Sequence, residues 1–226
     1  MTVEELEAQI TRLEDIHEIE NLERIYGFYF DTRRMKEVVD LFSENTESVE
    51  IESHGVYYGK AGVIKMYLEN AGGGAAPQSD QAPPPPSRPR VAGSGTVIIQ
   101  IGGVITLAPD GKSAKGRWHT WLAESFPFGG VMGQYWLHGY YENKFVKENR
   151  KWLFSKLYWN TTFYTRFETG WLVQPLVGLL PMPGPDAPPT AFHPYPSGYH
   201  LPYSFPHPIT GEVDTATFEL RHPMSM

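Results

Sequence analysis

The chain contains no cysteine, which excludes disulfide bonds, thiolate nucleophiles and cysteine-ligated zinc or iron–sulfur centres. It has no apolar run approaching the roughly 18 residues that cross a bilayer. The first ten residues, MTVEELEAQI, lack the basic and apolar regions of a signal peptide. These absences predict a cytoplasmic protein with no membrane partner.

Basic residues are also scarce. The chain carries 19 Lys and Arg against 26 Asp and Glu, a net charge of -7, and its longest basic cluster is Arg33-Arg34 with Lys36. Nucleic-acid recognition needs a basic face, so no nucleic-acid partner is expected. A length of 226 residues with 41% hydrophobic content is enough to bury one sizeable core.

Several motifs of specific chemistry are missing. There is no dinucleotide-binding GxGxxG, no P-loop, no GxSxG nucleophile turn, and no HxxxH or HxH metal pair. His193, His200 and His207 repeat at seven residues within a proline-rich tail, where coincidence explains them better than a metal site. General acid–base chemistry by Asp, Glu, His and Tyr, without a metal or cofactor, remains.

Aromatic residues are abundant, with 13 Tyr, 12 Phe and 6 Trp. Such side chains suit a pocket for a small aromatic molecule, although an aromatic-rich core would have the same composition.

The sequence pattern predicts helices in the N-terminal third of the chain. Apolar residues recur at spacings of three and four from residue 3 to about 29, which predicts one long helix weakened near its end by Gly27. Asp31-Thr32 can cap a second helix with its apolar face at Met35, Val38, Val39 and Phe42. Short strands at 47–52 and 56–58 and a helix at 59–70 follow.

Four long strands come next. Residues 97–107 pair with 113–125 across an Asp-Gly turn, and 131–147 pair with 151–163 across 148–150. Glycines within these strands predict a sheet that bends sharply. Helices followed by an antiparallel meander indicate an α+β fold.

Two segments are rich in proline. Residues 72–90 include four consecutive prolines and predict an exposed loop, either a lid or a surface insertion. Residues 174–226 are rich in proline and aromatics, which predicts an extended C-terminal arm over the same domain or a neighbouring subunit. The domain proper is therefore expected at 1–173.

Two further segments carry a family resemblance: YGFYFDTRRMKEVVDLF at 26–42 and YYENKFVKENRKWLF at 140–154. In this order and spacing they resemble the two ends of the SnoaL-like families of the nuclear transport factor 2-like superfamily. The resemblance implies a cone-shaped α+β barrel, in which N-terminal helices pack on a strongly curved, mainly antiparallel sheet around an apolar pocket.

Within that group the chain is similar to scytalone dehydratase, a cofactor-free lyase that expels water from a hydroxylated aromatic. The tyrosine–aspartate pair of that family falls on Phe30 and Asp31, and its inward asparagine falls on Tyr141. Its two catalytic histidines fall on Ile99 and Glu124. Because both histidines are replaced, that mechanism cannot be transferred unchanged.

Five residues are candidates for catalysis. Asp31 and Glu124 are the candidate general bases, and desolvation in an apolar cone would raise their pKa values. Tyr26 and Tyr141 could stabilise negative charge on a substrate oxygen, and Asn143 could hold a substrate hydroxyl. The alternatives are a helix cap for Asp31, a solvated strand end for Glu124 and a cross-strand structural bond for Asn143.

Strand alternation sorts the remaining candidates, because successive side chains point to opposite faces. If Tyr141 and Glu124 point inward, His119 and His138 point outward unless a bulge shifts the register. The candidate substrate-binding residues are Phe30, Trp118, Thr120, Ile99 and Leu137, with His119 and His138 added if such a shift occurs.

Together these features suggest a cofactor-independent lyase that eliminates water or a small carbonyl fragment such as formaldehyde from a hydroxylated aromatic. The segments LPYSFPHPITG and YENKFVKE resemble a subgroup acting on lignin-derived diarylpropanes, although many members carry histidines where this chain has 96–99. The alternatives are an isomerase or polyketide-type cyclase, or a non-enzymatic ligand-binding domain.

Self-association is a further expectation, because related cones commonly pair through the outer face of the sheet. A homodimer or higher homo-oligomer would cover the side chains predicted to lie there: Arg117, His119, Trp121, Trp136, His138 and Tyr140.

Overall fold

A computed structural model of the chain describes residues 1–51, 54–70, 92–128, 131–175, 184–191, 195 and 197–216. The predicted loop at 72–90 lies outside these residues. The helices are α1 (Val3–Asp31), α2 (Met35–Asp40) and α3 (Gly59–Ile64), the last continued by a π-helical turn at Lys65–Asn70. The strands are β1 (Ser48–Ile51), β2 (Gly55–Tyr58), β3 (Gly95–Leu107), β4 (Ser113–Phe128), β5 (Val131–Glu148) and β6 (Lys151–Arg166).

The long helix α1 begins at a capping box. The Thr2 hydroxyl accepts a hydrogen bond from the Glu5 N–H at 3.2 Å, and the Glu5 carboxylate accepts one from the Thr2 N–H at 2.7 Å. Gly27 does not interrupt the helix, and its missing side chain leaves room for Gln100. The chain turns instead at Arg33, whose φ of 60° is left-handed, and α2 begins after Arg34. None of the described helices is long and apolar enough to cross a membrane.

The six strands form one curved sheet in the order β2-β1-β6-β5-β4-β3. All neighbouring pairs are antiparallel except β1 with β6, and β2 and β3 are the edges. Two of the strand glycines make room for Trp118, because a side chain at Gly103 or Gly116 would collide with its indole ring, and the register of β3 shifts between Ile101 and Val104. The predicted α+β cone is confirmed, with α1 packed against a strongly curved, mainly antiparallel sheet that stays open.

The two faces of the sheet follow the expected alternation. In β5, residues 135, 137, 139, 141, 143 and 145 are buried, and their neighbours are partly exposed or lie beneath other chain segments. The same alternation places Trp118, Thr120 and Leu122 of β4 in the interior. We call the face carrying Tyr141 and Trp118 the inner face and the opposite one the outer face.

The C-terminal arm crosses the outer face of its own sheet. Its described residues contact β2, β1, β6, β5 and β4 in turn, which is the order of the strands in the sheet. The contacts are Val56 N–H to the Ala187 carbonyl, Thr190 to the Glu50 carboxylate, Tyr195 N–H to the Thr162 carbonyl, the Tyr140 hydroxyl to the Tyr199 carbonyl, and Arg117 to the Leu201 and Pro202 carbonyls.

Arg117 holds the far end of this arm. Its guanidinium lies 4.9 Å from the ring centroid of Tyr140 on the sheet and 5.0 Å from that of Tyr203 on the arm. It also forms an ion pair with Glu142 at 3.3 Å. The arm thus covers part of the face on which self-association was expected, and self-association stays a prediction.

Replacing Arg117 with Ala should release the arm from β4 and β5. The variant loses two charge-assisted hydrogen bonds and the cation–π contact with Tyr203, which together stabilise docking by about 2 kcal/mol. We expect chymotrypsin to cleave after Tyr199 and Tyr203 at least several-fold faster than in the parent protein. Replacement of the exposed Arg12 with Ala is the matched control, and equal cleavage rates in all three proteins would show that Arg117 does not hold the arm.

Candidate active site

Glu124 lies on the inner face of β4, close to the end of that strand, and its side chain is half-buried. It lines a depression of about 450 Å³ together with Thr96 at the start of β3. The other lining residues are Gly95, Val97, Ala123, Ser125 and Gln134. Because Val97, Ala123, Ser125 and Gln134 are outward positions of their strands, the depression opens mainly on the outer side of the sheet, and Thr96 and Glu124 border it from the inner side.

The surroundings of Glu124 favour its protonated form. Burial raises the pKa of this carboxyl above the ordinary value, and it outweighs three opposing influences. These are the positive charge of Arg33 and hydrogen bonds from the hydroxyls of Tyr164 and Thr96. The Tyr164 hydroxyl lies 3.4 Å from Glu124 Oε2. A carboxyl group of this kind can exchange a proton closer to neutral pH than a solvated one.

A second phenol, Tyr135, lies beside Glu124. The two residues are paired across β4 and β5, and the Tyr135 ring packs edge-on against Tyr164 at 5.7 Å. The Tyr135 hydroxyl is buried and has no hydrogen-bond partner in the described part of the chain. It occupies the space left by the absent side chain of Gly133. Two phenols thus lie in the wall near Glu124, that of Tyr164 bonded to its carboxyl group and that of Tyr135 fully buried.

Asp31 reaches the same end of the cone from α1. Its Oδ1 accepts a hydrogen bond from the backbone N–H of Ile98 at 2.9 Å. Ile98 lies on the edge strand β3, two residues from Thr96, so Asp31 and Glu124 flank the start of that strand. Asp31 is the last residue of α1 and does not cap α2, whose N-cap is Arg34.

The opposite, Glu23 end of the cone contains a carboxyl group that the sequence analysis did not select. Glu23 is 0% exposed. Gln100 donates to its Oε1 at 3.1 Å, and Asn143 donates to its Oε2 at 3.0 Å. The Asn143 Oδ1 accepts from the Tyr158 N–H, which fixes the direction of that amide. Burial raises the pKa of Glu23 to about 8, despite these hydrogen bonds.

Phenols surround this carboxyl group. The Tyr26 and Tyr67 hydroxyls are 3.0 Å apart, and the Tyr26 ring packs edge-on against Tyr141 at 5.9 Å. Burial raises the pKa of each of these three tyrosines. Tyr26, Tyr141 and Asn143 therefore lie together, but in an enclosed cluster around Glu23 and not beside Asp31 and Glu124, with which the sequence analysis grouped them.

The predicted substrate-binding residues divide into two sets. Phe30, Trp118, Thr120 and Leu137 belong to the interior, with Phe30 6.1 Å from Tyr26 and Trp118 5.9 Å from Phe145. Ile99, His119 and His138 lie on the outer face.

The outward position of Ile99 corrects its predicted role as a pocket residue, whereas His119 and His138 face outward as strand alternation predicts in the absence of a bulge. Ile99 pairs with Trp121 and is 48% exposed, because the inward positions of β3 are 96, 98 and 100. His119 and His138 stack on each other at 5.6 Å outside the cone. The register between β4 and β5 is continuous, so no bulge turns either histidine inward.

Four residues near Glu124 were missed by the sequence analysis: Arg33, Thr96, Tyr135 and Tyr164. Tyr164 lies one residue beyond the predicted end of its strand, and a register shift opposite His138 and Gly139 decides its direction. Glu23 could have been found, since it shares a helical face with Ile19, Leu22 and Tyr26.

No group of three potential metal ligands occurs among the residues that the structure describes.

The buried Glu23 predicts a dependence of stability on pH. The folded state keeps this proton up to about pH 8, whereas the group ordinarily loses it near 4.5. Between these values unfolding releases a proton, so the free energy of unfolding falls as pH rises. For one group the fall is at most about 5 kcal/mol.

Glu23→Gln should remove most of this fall, because its amide is neutral throughout and Gln100 can turn to present its oxygen. Urea unfolding at pH 5 and pH 8 measures the difference. Glu7→Gln, on the exposed part of α1, should retain the parental slope. An unchanged slope in Glu23→Gln would contradict the assignment.

Comparison with known proteins agrees with this architecture. A protein from Novosphingobium aromaticivorans DSM 12444, provisionally assigned as a scytalone dehydratase, superposes with a TM-score of 0.56 at 19% identity, covering 70% of this chain and 91% of that one. Hexachlorocyclohexane dehydrochlorinase LinA type 2 gives 0.55 at 15% identity, with coverage of 70% and 93%. LinA type 3 from Novosphingobium barchaimii LL02 gives 0.54 at 14% identity, with coverage of 70% and 94%.

No curated protein matches the sequence at a significant level. At these low identities the structural similarities establish the fold alone. The model of the SnoaL-like domain matches residues 11–158, which is more than half of the sequence. The chain therefore belongs to the SnoaL-like domain family.

Proposed function

We propose that the protein is a cofactor-independent lyase that eliminates water, or a small carbonyl fragment such as formaldehyde, from a hydroxylated aromatic molecule. The observation that carries the proposal is Glu124: a half-buried carboxyl group on the inner face, with a raised pKa, and hydrogen-bonded to a phenol. A small aromatic substrate is the expected partner.

The elimination of water can use Glu124 twice. The carboxylate takes a proton from the benzylic carbon, the C–O bond breaks, and the protonated Glu124 returns that proton to the departing hydroxyl. Water leaves, a C=C bond forms, and the carboxylate is regenerated. For loss of formaldehyde, the same carboxylate takes the proton of the hydroxyl on the leaving carbon, and the C–C bond breaks. The benzylic carbon that keeps the electron pair of this bond then takes the proton back from Glu124, which regenerates the carboxylate.

The neighbouring residues supply the remaining roles. The Tyr164 hydroxyl, which lies 3.4 Å from Glu124 Oε2, can donate to an oxygen that gains negative charge during the reaction. Asp31, held by the Ile98 N–H, is the alternative base. Tyr26, Tyr141 and Asn143 lie at the Glu23 end. There they would shape the wall of the substrate site and would not exchange protons with the substrate.

The structural neighbours support an elimination. One is provisionally assigned as a dehydratase and two are dehydrochlorinases. Loss of formaldehyde from a lignin-derived diarylpropane rests on the sequence resemblance alone. An isomerase or cyclase could use the same base, and product mass separates these outcomes, because isomerisation conserves mass. A ligand-binding domain is less well supported, since burying a carboxyl group weakens a purely apolar carrier.

Glu124→Gln should lower kcat/KM by about 10²- to 10⁴-fold, because the amide cannot accept the proton. Mass spectrometry of the products from hydroxylated two-ring and naphthol-like aromatics measures the effect. In the parent protein kcat/KM should rise with pH through a pKa above the ordinary glutamate value of 4.5, and this limb should vanish in the variant. Glu14→Gln, on the exposed part of α1, is the control.

Asp31→Asn tests the alternative base. If Asp31 serves mainly to bond the Ile98 N–H, the asparagine oxygen preserves that bond and turnover falls by less than in Glu124→Gln. Full activity of both variants would remove the acid–base proposal.

A further inference from the structure

The end of α1 contains an arginine in a backbone conformation that favours glycine. Arg33 has a φ of 60°, in the left-handed region. Its N–H donates a hydrogen bond to the Phe30 carbonyl at 3.0 Å, and the Arg34 N–H donates one to the Tyr29 carbonyl at 2.8 Å. These two bonds form a Schellman motif with Arg33 at the position where glycine is most common. A residue with a side chain is strained there, so a cap that only ended the helix would be more stable with glycine.

The side chain of Arg33 is directed against the protein. Arg33 is half-buried, whereas the residues on either side of it, Thr32 and Arg34, are exposed. Its guanidinium carbon lies 5.7 Å from the centre of the Phe30 ring, which packs against the core. The strained backbone therefore carries a cation toward the interior and not into solvent.

The position of the helix end brings this cation to Glu124. Asp31 Oδ1 accepts the hydrogen bond from the Ile98 N–H at 2.9 Å, which fixes the end of α1 beside the start of β3. Thr96, two residues earlier on the same face of β3, is the direct cross-strand partner of Glu124. Among the described residues, Arg33 supplies the positive charge that acts on the Glu124 carboxyl group.

We propose that Arg33 is a positioning residue for the elimination: its strained backbone places a positive charge beside Glu124 and allows that carboxyl group to ionise as the base. The inference deepens the proposed function and rests on it for the role of Glu124. Arg33 does not need to touch the substrate, because it acts through the charge of Glu124. The strain at Arg33 is then a cost in stability that the site requires, as is common for unusual backbone conformations near functional groups.

The other ionisable groups at this end of the cone do not replace the cation. They are Asp31 of α1, Tyr135 of β5, and Tyr164 and Arg166 of β6. The Arg166 guanidinium carbon lies 5.7 Å from the centre of the Tyr135 ring, and Tyr135 separates it from Glu124 in the cross-strand row. Asp31 is an acid, and a second negative charge cannot favour ionisation of Glu124. Removal of Arg33 should therefore raise the pKa of Glu124.

Arg33→Gly and Arg33→Asn test the inference, because both new residues accept the left-handed backbone and neither carries a charge. We expect the pKa of Glu124 to rise by at least about half a pH unit in both variants. A ¹³C NMR titration of the side-chain carboxyl carbons measures this value, and the Glu124 signal is the one missing from Glu124→Gln. Arg33→Lys keeps the charge and should show a smaller rise than either neutral variant. Arg34→Gln, an exposed neighbour with the same change of net charge, should keep the parental pKa.

The pH profile of turnover is the second readout. In Arg33→Gly the acid limb of kcat/KM should move to higher pH by the same amount as the NMR midpoint. On the plateau Glu124 is ionised in both proteins, so kcat/KM there should equal that of the parent. A residue that bound the substrate, or that only held the fold, would instead lower kcat/KM at every pH.

Stability separates the strain of the backbone from the role of the charge. Arg33→Gly should melt at the parental temperature or above it, because glycine relieves the left-handed strain. Arg33→Ala loses the same charge and keeps the strain, so it should melt at a lower temperature than Arg33→Gly.

Three results would overturn the inference: an unchanged pKa of Glu124 in Arg33→Gly and Arg33→Asn, an equal loss of kcat/KM at every pH, or a melting temperature of Arg33→Gly several degrees below that of the parent. Failure of the proposed function is separately visible. A fully active Glu124→Gln, together with a raised pKa of Glu124 in Arg33→Gly, would reject Glu124 as the base and retain the electrostatic link between the two residues.

Discussion

The interior of this cone holds carboxyl groups away from water without a cation to neutralise them. The other interactions of the interior depend on this constraint. Glu23 is fully enclosed, yet in the described structure it contacts amide donors and phenols instead of a lysine or arginine. Burial therefore raises the pKa of Glu23, and the carboxyl group is not part of an ion pair in the described structure. Glu124 follows the same rule more weakly, because the positive charge of Arg33 and hydrogen bonds from Tyr164 and Thr96 oppose the effect of burial on its pKa.

The outer face differs from the interior because its charged groups form ion pairs. The C-terminal arm of the same chain covers part of this face. Charged and aromatic groups there are paired: Arg117 with Glu142, and Phe163 stacked on Trp171 at 4.6 Å. The arm adds backbone carbonyls as acceptors for Arg117, so the sheet is held from both sides, by α1 within and the arm outside. Ile99 and Ile101 of the edge strand remain exposed beside this covered region.

The sequence was sufficient for the architecture and for much of the inner wall, and it failed where contacts cross between elements. Strand alternation placed Trp118, Thr120, Leu137 and Tyr141 correctly, because period-two patterning is a local property. Ile99 was assigned to the wrong face, since its role came from a family alignment rather than from the parity of β3. The partners of Asp31 and Glu124 could not be predicted, because Ile98 and Tyr164 are 67 and 40 residues away.

The two carboxyl groups also differ in what their protons can do. Glu23 has no contact with solvent or cavity, so its proton is coupled to folding, and the buried acid reduces stability at high pH without access to a ligand. Glu124 is only half-buried, so its proton can exchange while the fold is intact. The buried Thr120 hydroxyl and Trp159 indole N–H lie between the two carboxyl groups and have no hydrogen-bond partner within the described residues. Such atoms add a further cost to the stability of the inner face.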